Sequence, residues 1–123
     1  MAISTRTRNI LTWAVVGFVS LAMTASAIGK LLQVQPIVEM FGKANLAGWI
    51  VPIGILELVC AILFLLPRTA GLGTLLITGY FGAAFLFHLV VADGGFGGSI
   101  FLGLMAWLGG YLRNPHQFGK LLG

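Results

Sequence analysis

Residues 47–66 read AGWIVPIGILELVCAILFLL. The only acidic or basic side chain in this stretch is Glu57, near its middle. At ~1.5 Å of rise per residue, twenty residues of helix cover about 30 Å, the thickness of a bilayer's hydrocarbon core. The spacing therefore predicts a membrane-spanning helix with a carboxyl group about 15 Å deep, close to the midplane. An ionisable group at that depth is costly, and it is found where it has a partner or a task.

The rest of the composition agrees. Hydrophobic residues make up 59% of the 123 and charged residues 8%, against about 25% charged in a soluble domain. A chain this poor in charge cannot cover a water-facing surface, so a single membrane domain in contact with the lipid bilayer is expected. The net charge of +4 comes from scattered residues, with no basic run and no interleaved aromatics, which excludes a nucleic-acid partner. Cys60 is the only cysteine. No disulfide can form within the chain, and no Cys/His spacing suits a metal.

Outward from the central stretch, residues 10–32 form another apolar run, broken by Lys30 near its far end. Arg6 and Arg8 precede it, and Ala25-Ser26-Ala27 imitates a signal-peptidase site. The run is long enough to span, and a first transmembrane helix is the expectation. Residues 35–44 begin with Pro36 near the front and set Ile37, Val38, Met40 and Phe41 against Glu39 and Lys43. That pattern predicts a short amphipathic helix lying in the membrane interface, with a plain loop as the alternative. Pro52 removes a backbone donor and predicts a kink about one turn before Glu57. Pro67-Arg68-Thr69 allows only a tight turn. Residues 70–92 are the third span, with His88 inside it. The glycine-rich DGGFGG at 93–98 lacks a following GK[ST] and is no nucleotide loop. Residues 97–112 make the fourth span, and Arg113, Asn114, Pro115 and Lys120 follow it in water.

Arg6, Arg8, Arg68, Arg113 and Lys120 collect on one side of such a layout, and Lys30, Lys43, Glu39 and Asp93 on the other. The positive-inside rule then places both termini in the cytoplasm of a bacterial inner membrane. Small residues four apart (Ala22/Ser26, Ala25/Gly29, Gly79/Ala83, Ser99/Gly103) suit close helix packing. The expected fold is all-α: an integral membrane antiparallel four-helix bundle, with a short interfacial helix between the first and second spans.

Lys30, Glu57 and His88 all approach from the outer side. A carboxylate beside a histidine or an ammonium can hold or share a proton, so these three are the candidate catalytic, acid/base residues. Cys60 falls on the Glu57 face. Phe81, Ala84 and Phe85 fall on the His88 face, and Ser99, Gly103 and Trp107 on one face of the fourth helix. An apolar space walled by such residues suits a small apolar molecule, with Cys60, Phe81, Phe85, Ser99 and Trp107 as ligand contacts. Blander roles stand beside these. Lys30 can snorkel to headgroups, His88 can bond within its helix, and Glu57 can be a protonated structural group. Cys60 can be simple packing, and Trp13, Trp49 and Trp107 can form an aromatic belt. A haem site is not expected, since His88 is the only histidine within a span and His116 lies on the opposite side.

Gly29-Lys30-Leu31, Glu57-Leu58, Pro67-Arg68-Thr69, Gly82-Ala83, His88 and Arg113-Asn114-Pro115 occur at a spacing that resembles the DoxX-like family of small bacterial four-helix membrane proteins. The resemblance covers residues 10–115. It implies recurrent polar positions at Lys30, Glu57 and His88. It also implies an association with quinones, because founding members are linked to a terminal quinol oxidase and to thiosulfate:quinone oxidoreduction. No cofactor motif stands in this chain, so the resemblance implies a part that holds a quinone or a partner subunit.

Three functions follow as expectations. The first is a binding protein for a small apolar ligand, with a quinone as the candidate, accessory to a redox system. The second is a cofactor-free enzyme doing acid/base isomerisation or hydrolysis on a lipophilic substrate. The third is a structural subunit packed against other membrane subunits or further copies of itself.

Overall fold

The computed structural model describes residues 4–116, and these contain helices and no strand. Helix α1 is Thr5–Leu31, α2 Gln35–Lys43, α3 Ile50–Leu65, α4 Ala70–Val91 and α5 Phe96–Arg113, with 3-10 turns over Ala47–Trp49 and Pro67–Thr69. Lys120, used in the orientation argument, lies outside the described residues.

Helix α1 starts five residues before the apolar run because Ser4 caps it: the Ser4 hydroxyl accepts from the Thr7 amide at 3.2 Å. Capping fixes a helix start independently of hydrophobicity. At its far end Gln33 adopts φ 51°. The Gln33 amide reaches the Lys30 carbonyl at 3.1 Å, and the Val34 amide reaches the Gly29 carbonyl at 3.2 Å. This left-handed stop satisfies the last carbonyls and turns the chain at once into α2. Asn45, at φ 58°, ends α2 in the same way.

Pro52 does not interrupt a helix. It occupies the first turn of α3, where its missing donor has no partner to lose, and the irregularity expected there is instead the 3-10 turn at Ala47–Trp49. Pro67–Thr69 is a single 3-10 turn, fastened by the Thr69 hydroxyl on the Leu63 carbonyl at 2.8 Å.

Among the described residues, three helical stretches are long and apolar enough to cross a membrane: Thr5–Leu31, Ala47–Leu65 and Pro67–Val91. Helix α5 is less apolar, diluted by Gly97, Gly98, Ser99, Gly103, Gly109, Gly110 and Arg113. The protein is a membrane protein. Its large side chains face outward in numbers no soluble domain tolerates, among them Leu21, Leu75, Leu86 and Leu104.

Helix α1 packs along α3 and α5, and α4 packs along α3 and α5. Val16, Val19 and Met23 of α1 meet Cys60, Ala61 and Phe64 of α3, Ile77 and Phe81 of α4, and Ala106 of α5 in one buried core. Among the described glycines the tightest approach is at Gly73, where a methyl group would collide with the backbone of Leu63 and Phe64. Only glycine lets α4 leave the turn pressed against α3.

Candidate functional site

Glu57 is 2% exposed and Lys30 8%. The Lys30 Nζ lies 2.7 Å from Glu57 Oε1 and donates to the Ser26 hydroxyl at 2.7 Å. Gly54 makes this possible. It stands one turn before Glu57, and a Cβ there would lie 2.9 Å from the Lys30 Cβ and 3.3 Å from the Ala27 carbonyl. With hydrogen in that place α1 comes close to α3, and the lysine stem runs inward between the helices rather than out to water. Either charge buried alone would cost several kcal/mol, and the pair removes most of that penalty. From α4, the Tyr80 phenol lies close to the same carboxylate. Three helices therefore converge on Glu57.

Beside the pair lies a cavity of about 440 Å³, within the range of small-molecule sites. Its walls are Leu46, Ile53, Leu56, Leu75, Leu76 and Phe87, with Met40 and Phe41 contributed by α2. The Phe41 ring packs on Phe87 at 4.7 Å between centroids, so α2 is folded over the space. Lys30, Tyr80, His88 and Cys60 supply its polar and polarisable atoms. Glu57 is not among the lining residues; its two partners are. It can act on anything in the cavity only through them.

His88 is on the wall, but its bonding partner is not Glu57. Its Nδ1 lies 2.8 and 2.9 Å from the two carboxylate oxygens of Asp93, in the turn after α4. Asp93 Oδ1 also accepts from the Gly95 amide at 2.8 Å. That amide, and then the His88 ring, hold the Asp93 carboxyl below the usual carboxylate range. Gly95 must be bare, since a Cβ would lie 2.6 Å from the His88 Nδ1. Of the three candidate acid/base residues, Lys30 and Glu57 stand together with Tyr80 beside them, and His88 stands apart, paired with Asp93 toward water.

The expected ligand contacts also divide. Cys60 lines the cavity. Phe81, Phe85, Ser99 and Trp107 instead border a shallower groove of about 360 Å³ between α4 and α5. There the Trp107 Nε1 donates to the Thr78 hydroxyl at 2.6 Å. At 100° per residue, positions 80, 84 and 87 of α4 turn to one side, and 78, 82 and 85 to the other. Sequence reasoning missed Tyr80, Ser26 and the α2 contribution. Tyr80 carried a signal, because a phenol in mid-span needs a polar partner.

Residues 14–109 match the family model described as the DoxX-like family. No curated protein and no solved structure matches the chain. The matched segment contains Lys30, Glu57, Tyr80, His88 and Asp93. The chain belongs to the DoxX-like family.

Proposed function

We propose that this protein holds a small apolar molecule with a polar head, a quinone being the candidate, in the cavity beside Lys30. In this reading α1, α3, α4 and α5 span the inner membrane as an antiparallel bundle. Helix α2 lies at the outer interface, and both termini are cytoplasmic, the side that Arg6, Arg8, Arg68 and Arg113 favour. The observation that carries the reading is an apolar cavity of about 440 Å³ whose wall includes one member of a buried ion pair.

The residues fit a quinone. The aliphatic and aromatic walls suit a ring and an isoprenoid tail. The Lys30 ammonium, with one N–H left over after Ser26 and Glu57, is a donor suited to a ring oxygen, and Glu57 holds the lysine in place. His88 and Asp93, with side chains 22% and 31% exposed, can exchange a proton with water at the rim. A bound quinone would supply two-electron redox chemistry, and the chain would be accessory to a redox system. Purification in mild detergent, followed by organic extraction and mass spectrometry, tests this. Wild type is expected to carry a lipophilic molecule that Lys30→Met loses. Wild type that carries none, and that binds no added quinone, overturns the reading.

The Tyr80–Glu57 contact favours a second reading, acid/base catalysis on a lipophilic substrate. Turnover without any electron acceptor would select it.

A further inference from the structure

At the opposite end of α1 from Lys30, Arg113 closes α5. Its Nη1 donates to the Phe64 carbonyl at 2.6 Å. Its guanidinium lies over the rings of Trp13 and Phe64, at 5.4 and 5.6 Å from their centroids. The Nε and Nη2 atoms are shut off from water and have no hydrogen-bond partner among the described residues. These two nitrogens form one edge of the guanidinium, the edge whose parallel N–H groups match two oxygens of a phosphate. Buried donors without acceptors are costly, and a helix end does not require them.

Arg8 stands beside them. Its Nε donates to the Leu112 carbonyl at 2.8 Å. Arg8 and Arg113 both border a polar cleft of about 500 Å³, with Asn9, Thr12, Asn114 and His116. No Asp or Glu borders it among the described residues. Both guanidiniums are thus anchored by backbone carbonyls at helix ends and border this polar space, the Nε–Nη2 edge of Arg113 being covered until its side chain turns toward it. The surface alongside is apolar: Ile10, Trp13 and Leu66 are 61%, 52% and 49% exposed. A phosphate in the cleft and acyl chains on that surface would satisfy both at once.

We propose that this cleft binds the phosphate of a phospholipid headgroup, held by Arg8 and by the unpartnered edge of Arg113 once that edge turns into the cleft, with its acyl chains on the neighbouring lipid-facing side chains. The site is separate from the cavity at Lys30 and does not depend on what that cavity holds.

The test uses the purified, delipidated full chain and native mass spectrometry with added phosphatidylglycerol, plus a parallel arm with inorganic phosphate read by thermal shift. Wild type is expected to retain one phospholipid. Arg113→Lys keeps the charge but not the two-pronged edge, and retention should fall about tenfold. Arg8→Gln should weaken it without touching the Phe64 contact, which covers the case in which position 113 is needed for folding. Arg68→Gln removes an exposed charge outside the cleft and should change nothing. Equal retention by wild type, Arg113→Lys and Arg8→Gln overturns the proposal. So does an equal loss in Arg68→Gln, or stabilisation by inorganic phosphate with no phospholipid retained.

Discussion

The Lys30 ammonium lies 2.7 Å from Glu57 Oε1, although the residues are 27 positions apart and belong to different helices. The pair is enclosed, so each charge depends on the other. Glu57→Gln or Lys30→Met alone should cost about 3 kcal/mol, because each leaves a buried charge without its partner. The double variant should recover much of that loss. Reversible unfolding in detergent of the four proteins measures the coupling, and additive losses would mean that the pair is not the unit described.

Glycine at 54 sets the distance between α1 and α3. Gly54→Val should cost about 1–3 kcal/mol by forcing the Lys30 stem away from α3. Gly73→Ala should cost at least as much, since there the obstacle is backbone rather than a flexible side chain. Gly17 is the control: a Cβ there meets nothing within 4 Å. Gly17→Ala should therefore stabilise by about 0.5–1 kcal/mol through helix propensity alone. Thermal melts of the three variants check the order.

Ala92 ends α4 at φ 55°, a left-handed conformation that alanine resists. Ala92→Gly should raise stability by about 0.5–1 kcal/mol, and Ala92→Val should lower it. The reverse order in melting temperatures would show that this turn is built differently.

Asp93 gives a pH signature. Its carboxyl is held low by the Gly95 amide first and by His88 second. A group whose folded value is depressed contributes fully above its unfolded value, near 3.8, and loses that contribution as pH falls through the lower folded value. Wild type should therefore lose stability on acidification below about pH 4 more steeply than Asp93→Asn. The difference is small because Asp93 is exposed, and it is read as a change in slope.

Much of this layout was legible because charge stands out against apolar sequence. Lys30 and Glu57 interrupt long hydrophobic runs, and Pro36 and Pro67 announce their turns. The rotation of α4 about its own axis was not legible. Its apolar residues occur on every face, so periodicity supplies no phase, and Phe81 and Phe85 could not be separated from Ala84 and His88. The partner of His88 depends on the turn at Gly94 and Gly95, whose path the sequence does not specify. Small residues four apart drew attention to Gly79 and Ala83, which line the cavity. The approaches that position the site are at Gly54 and Gly73, glycines with no small residue four positions away on the same helix.

For the apolar ligand proposed beside Lys30, Gly79 offers the cleanest access. Gly79 borders the cavity, and a Cβ there meets nothing within 4 Å. Gly79→Leu should therefore fill the space without disturbing the fold. The decisive measurement is a titration of wild type and Gly79→Leu with a short-tailed ubiquinone, with melting temperatures recorded alongside. Saturable binding by wild type is expected, weakened about tenfold or more in Gly79→Leu at unchanged or higher melting temperature. Equal binding by the two proteins, or none by wild type, would contradict it.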